Sequence, residues 1–232
     1  MNYAMADLHG CYDKYLQMID KIQLKNDDVL YILGDVIDRG DEGINILLDM
    51  MKRSNIIPIL GNHEYMAYNI FKKFNVEITA ENYNKHLDNE DMKMFETWMF
   101  NGGVTTLQAF SALDKEERRR IIDYLEEFNL YEEIEISGNR FLLVHGGIAN
   151  FDINKPLCMY TLHDFIWGRC DYSKKYYPDK YLITGHTPTY NIDKEYKGRI
   201  YKNNNHIAID CGAVFGERLG CICLDTMEEF YI

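Results

Sequence analysis

The first sixty residues alternate between three apolar runs and the polar clusters that follow them. The runs and their clusters are "NYAMA" with "DLHG" (2–10), "VLYIL" with "GDVIDRG" (29–40) and "IIPIL" with "GNHE" (56–64). Apolar residues spaced as on one face of a helix occupy 12–19 and 44–51, between the runs. This β-α-β-α-β order predicts parallel strands joined by right-handed crossovers. The chain is therefore expected to adopt an α/β fold.

The polar clusters fall where ligands bind in α/β sheets, beyond the carboxyl ends of parallel strands. A buried carboxylate without a partner is strongly unfavourable, so these acidic groups need a cation or hydrogen-bond donors. Two later apolar runs end in histidine, within "VHGG" and "TGHTP". Six side chains that can bind metal are thus expected to converge, with His63 beside them: Asp7, His9, Asp35, Asn62, His145 and His186.

Mixed oxygen and imidazole ligands suit Mn, Fe or Zn better than Ca or Mg. Six ligands are more than one tetrahedral site uses, and two ions roughly 3.5–4 Å apart are a standard clamp for displacement at phosphorus. Arg39 would then be free to face an anion, so the pattern predicts a di-metal phosphoesterase. Taken singly, Asp7 or Asp35 also suits a helix N-cap, and Arg39 suits an ion pair with Asp38 or Asp41.

Composition narrows the class of partner. The 232 residues are 47% hydrophobic and carry a net charge of -12, which disfavours binding to a nucleic-acid backbone. The first twenty residues lack a signal-peptide core, and no run of 18 apolar residues predicts a membrane span. Six cysteines without regular spacing predict a reduced, cytoplasmic protein. The oligomeric state is left open.

A single domain is expected over 1–232, with a cap-like insertion at roughly 72–112 where the apolar pattern loosens. Trp98 and Phe100 of this insertion are expected to be core residues. Asp114 followed by Glu117 predicts the start of a helix through a capping box. Beyond it, "YEEIEISGNRFLLV" (131–144) predicts two strands around a turn, and the second half is richer in strands.

The motifs "DLHG", "GDVIDRG", "GNHE", "HGG" and "GHTP", in this order, resemble the signature of the calcineurin-like metallophosphoesterases. More narrowly, they resemble the PPP-type serine/threonine protein phosphatases of the short bacterial and bacteriophage lambda form. The resemblance implies a β-sandwich flanked by helices, with a di-metal site at the carboxyl ends of the strands. Two positions depart from the usual motifs, namely Ala6 in place of Gly and Ile37 in place of Val.

The same resemblance implies how the six metal-binding side chains are shared between two ions. One ion would be bound by Asp7, His9 and Asp35, and Asp35 would bridge to the second. The second ion would be completed by Asn62, His145 and His186. Two Mn²⁺ ions are expected, with Fe and Zn as alternatives.

The catalytic roles implied by the resemblance fall on five residues. Arg39 and Arg169, the latter in "FIWGR", would hold the substrate phosphate with help from Asn62. His63 would be the general acid that protonates the leaving alkoxide, oriented by Asp38. A metal-bridging hydroxide would attack phosphorus directly, without a phosphoenzyme.

The expected function is hydrolysis of phosphoserine and phosphothreonine in proteins or peptides. The alternative is a symmetrical diadenosine tetraphosphate hydrolase or another nucleotide phosphoesterase, because metal ligands do not separate these substrates. A non-catalytic binding module is disfavoured by the presence of His63 and Asp38, and a DNA nuclease by the acidic composition.

Overall fold

The computed structural model describes residues 1–75 and 88–232. Its strands are β1 (Asn2–Met5), β2 (Val29–Leu33), β3 (Ile56–Ile59), β4 (Tyr131–Ile136), β5 (Asn139–Val144), β6 (Lys180–Thr184), β7 (Tyr201–Asn203), β8 (His206–Ala208), β9 (Gly220–Cys223) and β10 (Glu229–Tyr231). Its α-helices are α1 (Tyr12–Lys21), α2 (Gly43–Met50), α3 (Asn62–Phe74), α4 (Asn89–Phe100), α5 (Val104–Ala112), α6 (Lys115–Glu126), α7 (Leu162–Ile166) and α8 (Thr189–Ile192).

The strands form two five-stranded sheets, ordered β10-β9-β1-β2-β3 and β4-β5-β6-β8-β7. The predicted β1, β2 and β3 pair in parallel, as do β5, β6 and β8 in the second sheet. β3 lies at the edge of its sheet, where the missing N–H of Pro58 is tolerated. The carboxyl ends of six parallel strands are therefore available to build a site.

The two sheets pack face to face and bury both faces of their central strands. In β1, Ala4 faces the second sheet, whereas Tyr3 and Met5 pack against helices. In β5, Leu143 lies between the sheets and Leu142 packs on the α7 side. Burial on both faces explains why these strands have continuous apolar sequences rather than alternating ones. The α/β class and the sandwich flanked by helices are thus confirmed.

The helix after Asp114 begins as the capping pattern predicts. The Asp114 carboxylate accepts hydrogen bonds from the backbone N–H groups of Glu116 and Glu117, and α6 starts at Lys115. Ile121 lies on the apolar face of α6 and is buried in the core that includes Phe71 of α3. β4 and β5 likewise form the predicted antiparallel pair.

The described part of the predicted insertion packs into the core. Trp98 of α4 is buried and meets the Phe71 ring edge-on at 5.5 Å, and Phe110 of α5 stacks on Phe71 at 3.6 Å. The expectation that Phe100 is a core residue is wrong, since it is 92% exposed. Two residues along a helix rotate a side chain by roughly 200°, so Phe100 faces away from Trp98. Residues 76–87 of the insertion lie outside the described residues, and the single domain stays a prediction.

In the described residues, each helix is too short or too polar to cross a membrane. The six cysteines are free thiols in the structure.

Shortening a side chain between the sheets tests the sandwich. Leu143 is fully buried there, so Leu143→Ala should lower the free energy of unfolding by about 2–5 kcal/mol through lost burial and a cavity. Urea unfolding measures the change, with Ile153→Ala as the control because Ile153 is 56% exposed. A loss no larger than that of the control would contradict packing of Leu143 between two sheets.

Candidate metal centre

The polar clusters converge at one end of the two sheets. The loops after β1 and β2 are joined by backbone hydrogen bonds, from His9 N to the Asp35 carbonyl at 2.9 Å and from Gly10 N to the Val36 carbonyl at 2.8 Å. The loop after β2 lines a pocket of about 350 Å³. Its walls include predicted site residues from four separate segments, namely Asp35, Arg39, Asn62, His63, Arg169 and His186.

Three hydrogen-bond acceptors face one another around His145. Its Nδ1–H donates to the Leu33 carbonyl at 2.7 Å, which leaves Nε2 with a lone pair. Asn62 Oδ1 lies 3.1 Å and Asp35 Oδ1 3.3 Å from this nitrogen. Acceptors that converge without a proton between them require a cation. The fixed tautomer, with its second nitrogen bonded to a carbonyl, is the usual state of a metal-binding histidine.

His9 repeats this arrangement on the other oxygen of Asp35. Its Nδ1–H donates to the Ile37 carbonyl at 2.9 Å, and its Nε2 lies 3.5 Å from Asp35 Oδ2. Two clusters whose donor atoms lie within 4.8 Å of one another share Asp35. They are His9, Asp35 and His63, and Asp35, His145 and His186. The donor set therefore fits two ions on either side of one carboxylate.

The imidazoles are held in the form that binds metal. Burial lowers the pKa of His9 to about 3, and burial with the neighbouring His145 lowers the pKa of His186 to about 3. Burial also lowers the pKa of His145. Burial opposes ionisation of Asp35, but His145 and then His63 outweigh it and keep its pKa below the usual value. Neutral imidazoles around an ionised carboxylate are ready to ligate at neutral pH.

Asp7 and Asp210 add further buried carboxylates. Asp7 accepts hydrogen bonds from His186 N at 3.0 Å, and its pKa is raised by burial, then by Asp210 and Asp35. Burial raises the pKa of Asp210 to about 7. No motif marks Asp210, although it follows the short strand β8 as Asp7 follows β1. A divalent ion would offset this concentration of buried negative charge.

His63 is hydrogen-bonded to Asp38. Its Nδ1–H donates to Asp38 Oδ2 at 2.6 Å. Burial lowers the pKa of His63, but Asp35 and Asp38 outweigh burial and raise it above the usual value. His63 can therefore carry a proton on Nε2, which faces the pocket. Trp98 was not predicted to take part, yet its indole Nε1–H donates to the same Asp38 oxygen at 2.7 Å.

The segment around α4 and α5 also holds the backbone of the loop after β2. Asp38 N donates to Thr106 Oγ1 at 2.8 Å, and Arg39 N donates to the Gly102 carbonyl at 3.0 Å. The predicted insertion thus positions two catalytic candidates by hydrogen bonds. Local sequence patterns give no signal for these contacts, because the partners lie some sixty residues apart.

Glu64 ties the loop after β2 to the start of α3. Its carboxylate accepts backbone hydrogen bonds from Asp35 at 2.8 Å, Val36 at 2.8 Å, Ile37 at 3.2 Å and Gly61 at 3.2 Å. A Cβ on Gly61 would lie 2.5 Å from the Asp35 backbone nitrogen, so only glycine fits there. Glu64, the last residue of "GNHE", is a structural anchor of the metal-binding loop that the motif analysis did not single out.

Six site residues have left-handed backbone conformations that non-glycine residues rarely adopt. They are Asp7 (φ 54°), His9 (φ 41°), Asp35 (φ 53°), Asp38 (φ 73°), Arg39 (φ 68°) and His186 (φ 62°). Each such residue costs on the order of 1–3 kcal/mol and persists only where its surroundings enforce it. The hydrogen bonds that the loop backbone donates to Glu64 and to the α4–α5 segment help to stabilise these conformations.

The two arginines lie on either side of the pocket. Arg39 donates to His9 Nε2, and its second terminal nitrogen lies 3.2 Å from His63 Nε2. Because a metal ion would compete for that His9 nitrogen, metal binding would release the Arg39 guanidinium towards an anion. Arg169 donates to Thr187 Oγ1 at 2.9 Å and lines the same pocket.

The alternatives for single residues are not supported by the structure. α1 and α2 have Cys11 and Glu42 at their N-caps, so neither Asp7 nor Asp35 caps the following helix. The ion pairs between described residues do not include one from Arg39 to Asp38 or Asp41. Asp35 and Arg39 instead line the shared pocket, and Asp7 accepts from His186 N.

Comparison with known proteins agrees with this geometry. The sequence profile of the calcineurin-like phosphoesterases matches residues 3–211. The chain belongs to the calcineurin-like phosphoesterase family.

Relatives that match nearly the whole chain carry nucleotide-hydrolase names. The asymmetrical bis(5′-nucleosyl)-tetraphosphatase PrpE of Halalkalibacterium halodurans is 26% identical over 97% of this chain and 90% of its own length. Serine/threonine-protein phosphatase 2 of Salmonella typhimurium is 24% identical over 72% of this chain and 67% of its own. The narrower resemblance to PPP-type protein phosphatases therefore stays a prediction.

Solved structures share the fold at low sequence identity. One provisionally named a diadenosine tetraphosphatase matches with a TM-score of 0.67 at 14% identity, over 100% of this chain and 92% of its own. The cold-active protein-tyrosine phosphatase of a Shewanella species matches with a TM-score of 0.57 at 14% identity, over 99% of this chain and 79% of its own.

Trp98→Phe tests the link between the α4–α5 segment and the site. The variant keeps an aromatic ring against Phe71 but removes the hydrogen bond to Asp38. Loss of a hydrogen bond to a charged group should lower kcat for phosphoester hydrolysis on the order of tenfold. Asp38 then binds the His63 proton more strongly, so the alkaline limb of the pH–rate profile should move to higher pH.

Phe100→Leu is the matched control, since it alters an exposed aromatic residue two positions along the same helix. It should leave both kcat and the pH profile unchanged. An unshifted alkaline limb in Trp98→Phe would show that Trp98 serves packing alone.

Proposed function

We propose that this metallophosphoesterase hydrolyses dinucleoside polyphosphates such as diadenosine tetraphosphate. The observation that carries the proposal is the meeting of an Asp35-centred imidazole cluster with two guanidinium groups in one pocket. Names of relatives that match nearly the whole chain support the nucleotide substrate. We therefore favour a nucleotide substrate over the phosphoserine and phosphothreonine substrates that the motifs alone favour.

We assign the metal ligands as the motif resemblance implies. Asp35 is the shared carboxylate, one ion adds Asp7 and His9, and the other adds Asn62, His145 and His186. When bound, the ions activate water near neutral pH and neutralise phosphate charge. Mn²⁺ is the proposed metal, with Fe or Zn as alternatives, because the donors are imidazole and oxygen without thiolate.

Arg39 and Arg169 bind the non-attacked phosphate oxygens in this proposal. Their planar guanidinium groups match phosphate oxygens two at a time, which fixes the orientation of the phosphorus. Asn62 lines the same pocket and assists in this contact. Arg39 lies against His9 and His63 and Arg169 against Thr187, so the two guanidinium groups approach the pocket from separate segments.

His63 donates its proton to the leaving oxygen. The Asp38 carboxylate holds the ring through Nδ1 and favours the protonated form, which leaves Nε2–H directed at the pocket. A nucleotide leaves as a weakly basic phosphate, whereas serine leaves as a strongly basic alkoxide. Proton donation therefore matters more for a phosphoserine substrate.

Protein phosphatase activity is the second candidate. It is favoured by the likeness to serine/threonine-protein phosphatase 2 over 72% of the chain.

The position of cleavage in a dinucleotide is a separate question, and the relatives that match nearly the whole chain favour asymmetrical cleavage.

We also propose a cytoplasmic location, which the six free cysteines support.

A substrate panel tests the proposed function directly. Metal-stripped protein reloaded with Mn²⁺ should hydrolyse diadenosine tetraphosphate with a higher kcat/KM than a phosphoserine or phosphothreonine peptide. Chromatography of the products distinguishes ATP with AMP from two ADP molecules. Asp35→Asn removes the shared carboxylate and should abolish turnover of every substrate.

A higher kcat/KM for the phosphopeptide would support the protein phosphatase candidate instead. Full activity in Asp35→Asn would contradict the di-metal assignment itself.

His63→Gln tests the acid through the basicity of the leaving group. General acid catalysis contributes roughly 10²–10⁴-fold, so kcat for a phosphoserine peptide should fall by that order. The fall for diadenosine tetraphosphate should be markedly smaller, because its leaving group needs little protonation. Steady-state kinetics of both substrates with one enzyme preparation provide the comparison, and equal losses would argue against a proton-donor role.

A further inference from the structure

The catalytic pocket continues into a second concavity of about 530 Å³. Both are lined by Tyr190, Asn191 and Phe215. We name the second concavity the side groove, with walls formed by Tyr190, Asn191, Lys194, Lys197, Phe215 and Glu217. A ligand whose phosphate lies between Arg39 and Arg169 can therefore extend into the side groove without crossing open solvent.

Phe215 is an exposed aromatic residue on a braced loop. Its side chain is 53% exposed at the end of the 3₁₀ turn Ala213–Phe215. Lys14 Nζ donates to the carbonyls of Ala213 at 2.8 Å and Glu217 at 2.6 Å, one on each side of Phe215. The Arg39 guanidinium lies 5.4 Å from the centre of the Phe215 ring. The ring is thus fixed at the junction of the two concavities rather than folded into the core.

Tyr190 also lines both concavities. A Cβ on Gly212 would lie 3.4 Å from Tyr190 Cε1, so the ring lies beside the root of the Phe215 loop. The start of α8 is tied to the end of β8 by a hydrogen bond from Thr189 N to the Asp210 carbonyl at 2.9 Å. Two aromatic rings therefore line the side groove.

The charges at the groove rim suit a polyphosphate. Lys194 and Lys197 line the groove in a chain whose net charge is -12. Glu217 pairs with Lys197 at 2.8 Å and offsets part of that charge. Arg39 and Arg169 line the catalytic pocket and the two lysines line the side groove, so positively charged side chains lie in both concavities. Planar rings shared by two such concavities fit a base linked to phosphates.

We propose that the side groove is a nucleoside subsite in which a purine base stacks on Tyr190 and Phe215. Lys194 and Lys197 line the side groove and not the catalytic pocket, so they lie near the base rather than beside the cleaved phosphate. This inference rests on the proposed function, because it assigns the base of the dinucleotide substrate to a defined place. It also explains why an exposed phenylalanine is rigidly presented beside a catalytic arginine.

The test compares AMP with ribose 5-phosphate, which differ only in the base. Each is used as a competitive inhibitor of p-nitrophenyl phosphate hydrolysis by the Mn²⁺-loaded protein, and the ratio of inhibition constants isolates the base. Stacking on aromatic side chains should make AMP about tenfold or more tighter than ribose 5-phosphate. Tyr190→Leu and Phe215→Leu should each lower that ratio, and the double variant should bring it close to one.

Phe100→Leu is the control, since it removes an exposed aromatic residue outside the groove and should keep the wild-type ratio. A wild-type ratio near one, or a ratio that persists in the double variant, overturns the inference. So does an equal advantage for a phosphopeptide with a flanking phenylalanine that is lost in the same variants, since the groove then binds peptide side chains.

Hydrolysis of diadenosine tetraphosphate, measured separately, distinguishes the two proposals. A base preference without dinucleotide hydrolysis supports the subsite and refutes the proposed substrate. Dinucleotide hydrolysis without a base preference refutes the subsite and supports the proposed substrate.

Discussion

Asp35 faces imidazole nitrogens through both of its carboxylate oxygens, His145 through one and His9 with His63 through the other. Each of His145 and His9 has its second nitrogen committed to a backbone carbonyl, so the nitrogen that faces Asp35 carries a lone pair, which on His9 accepts from Arg39. Lone pairs that face a buried carboxylate are unfavourable unless cations lie between them. The candidate metal centre is built around that requirement.

The rest of the structure serves to hold this carboxylate in place. Glu64 binds the backbone of the loop that carries Asp35, and Gly61 allows α3 to begin in van der Waals contact with it. Trp98 reaches the neighbouring Asp38 from a segment that sequence analysis placed in a cap. Packing of α4 and α5 on Phe71 therefore helps to position Asp38, and the strained backbone of the site is stabilised by distant parts of the chain.

The sequence predicted much of this because local patterns encode it. Continuous apolar runs located the strands, and the polar residues after each run located the site, since parallel strands bring their carboxyl ends together. Asp210 obeys the same rule but follows a three-residue strand, which is too short for a clear apolar run. A strand buried on both faces has the same sequence whether its second face meets a helix or a sheet, so periodicity did not predict the sandwich.

Contacts between remote segments explain what could not be predicted. Trp98 and Asp38 are sixty residues apart, and Tyr190 and Phe215 line the side groove from separate segments. The motif residues do not separate substrates of different classes, and the aromatic residues proposed to bind the base come from loops without a motif. The metal centre is therefore the part of the account on which the other assignments depend.

The most direct measurement is the number of metal ions bound per chain. Protein equilibrated with Mn²⁺, dialysed and analysed by inductively coupled plasma mass spectrometry should contain two ions per chain. Because Asp35 belongs to both clusters, Asp35→Asn should weaken both ions, whereas the distant Ile153→Ala should retain two. Fewer than two ions in the wild-type chain, or two ions in Asp35→Asn, would contradict a pair of metal ions organised around one shared carboxylate.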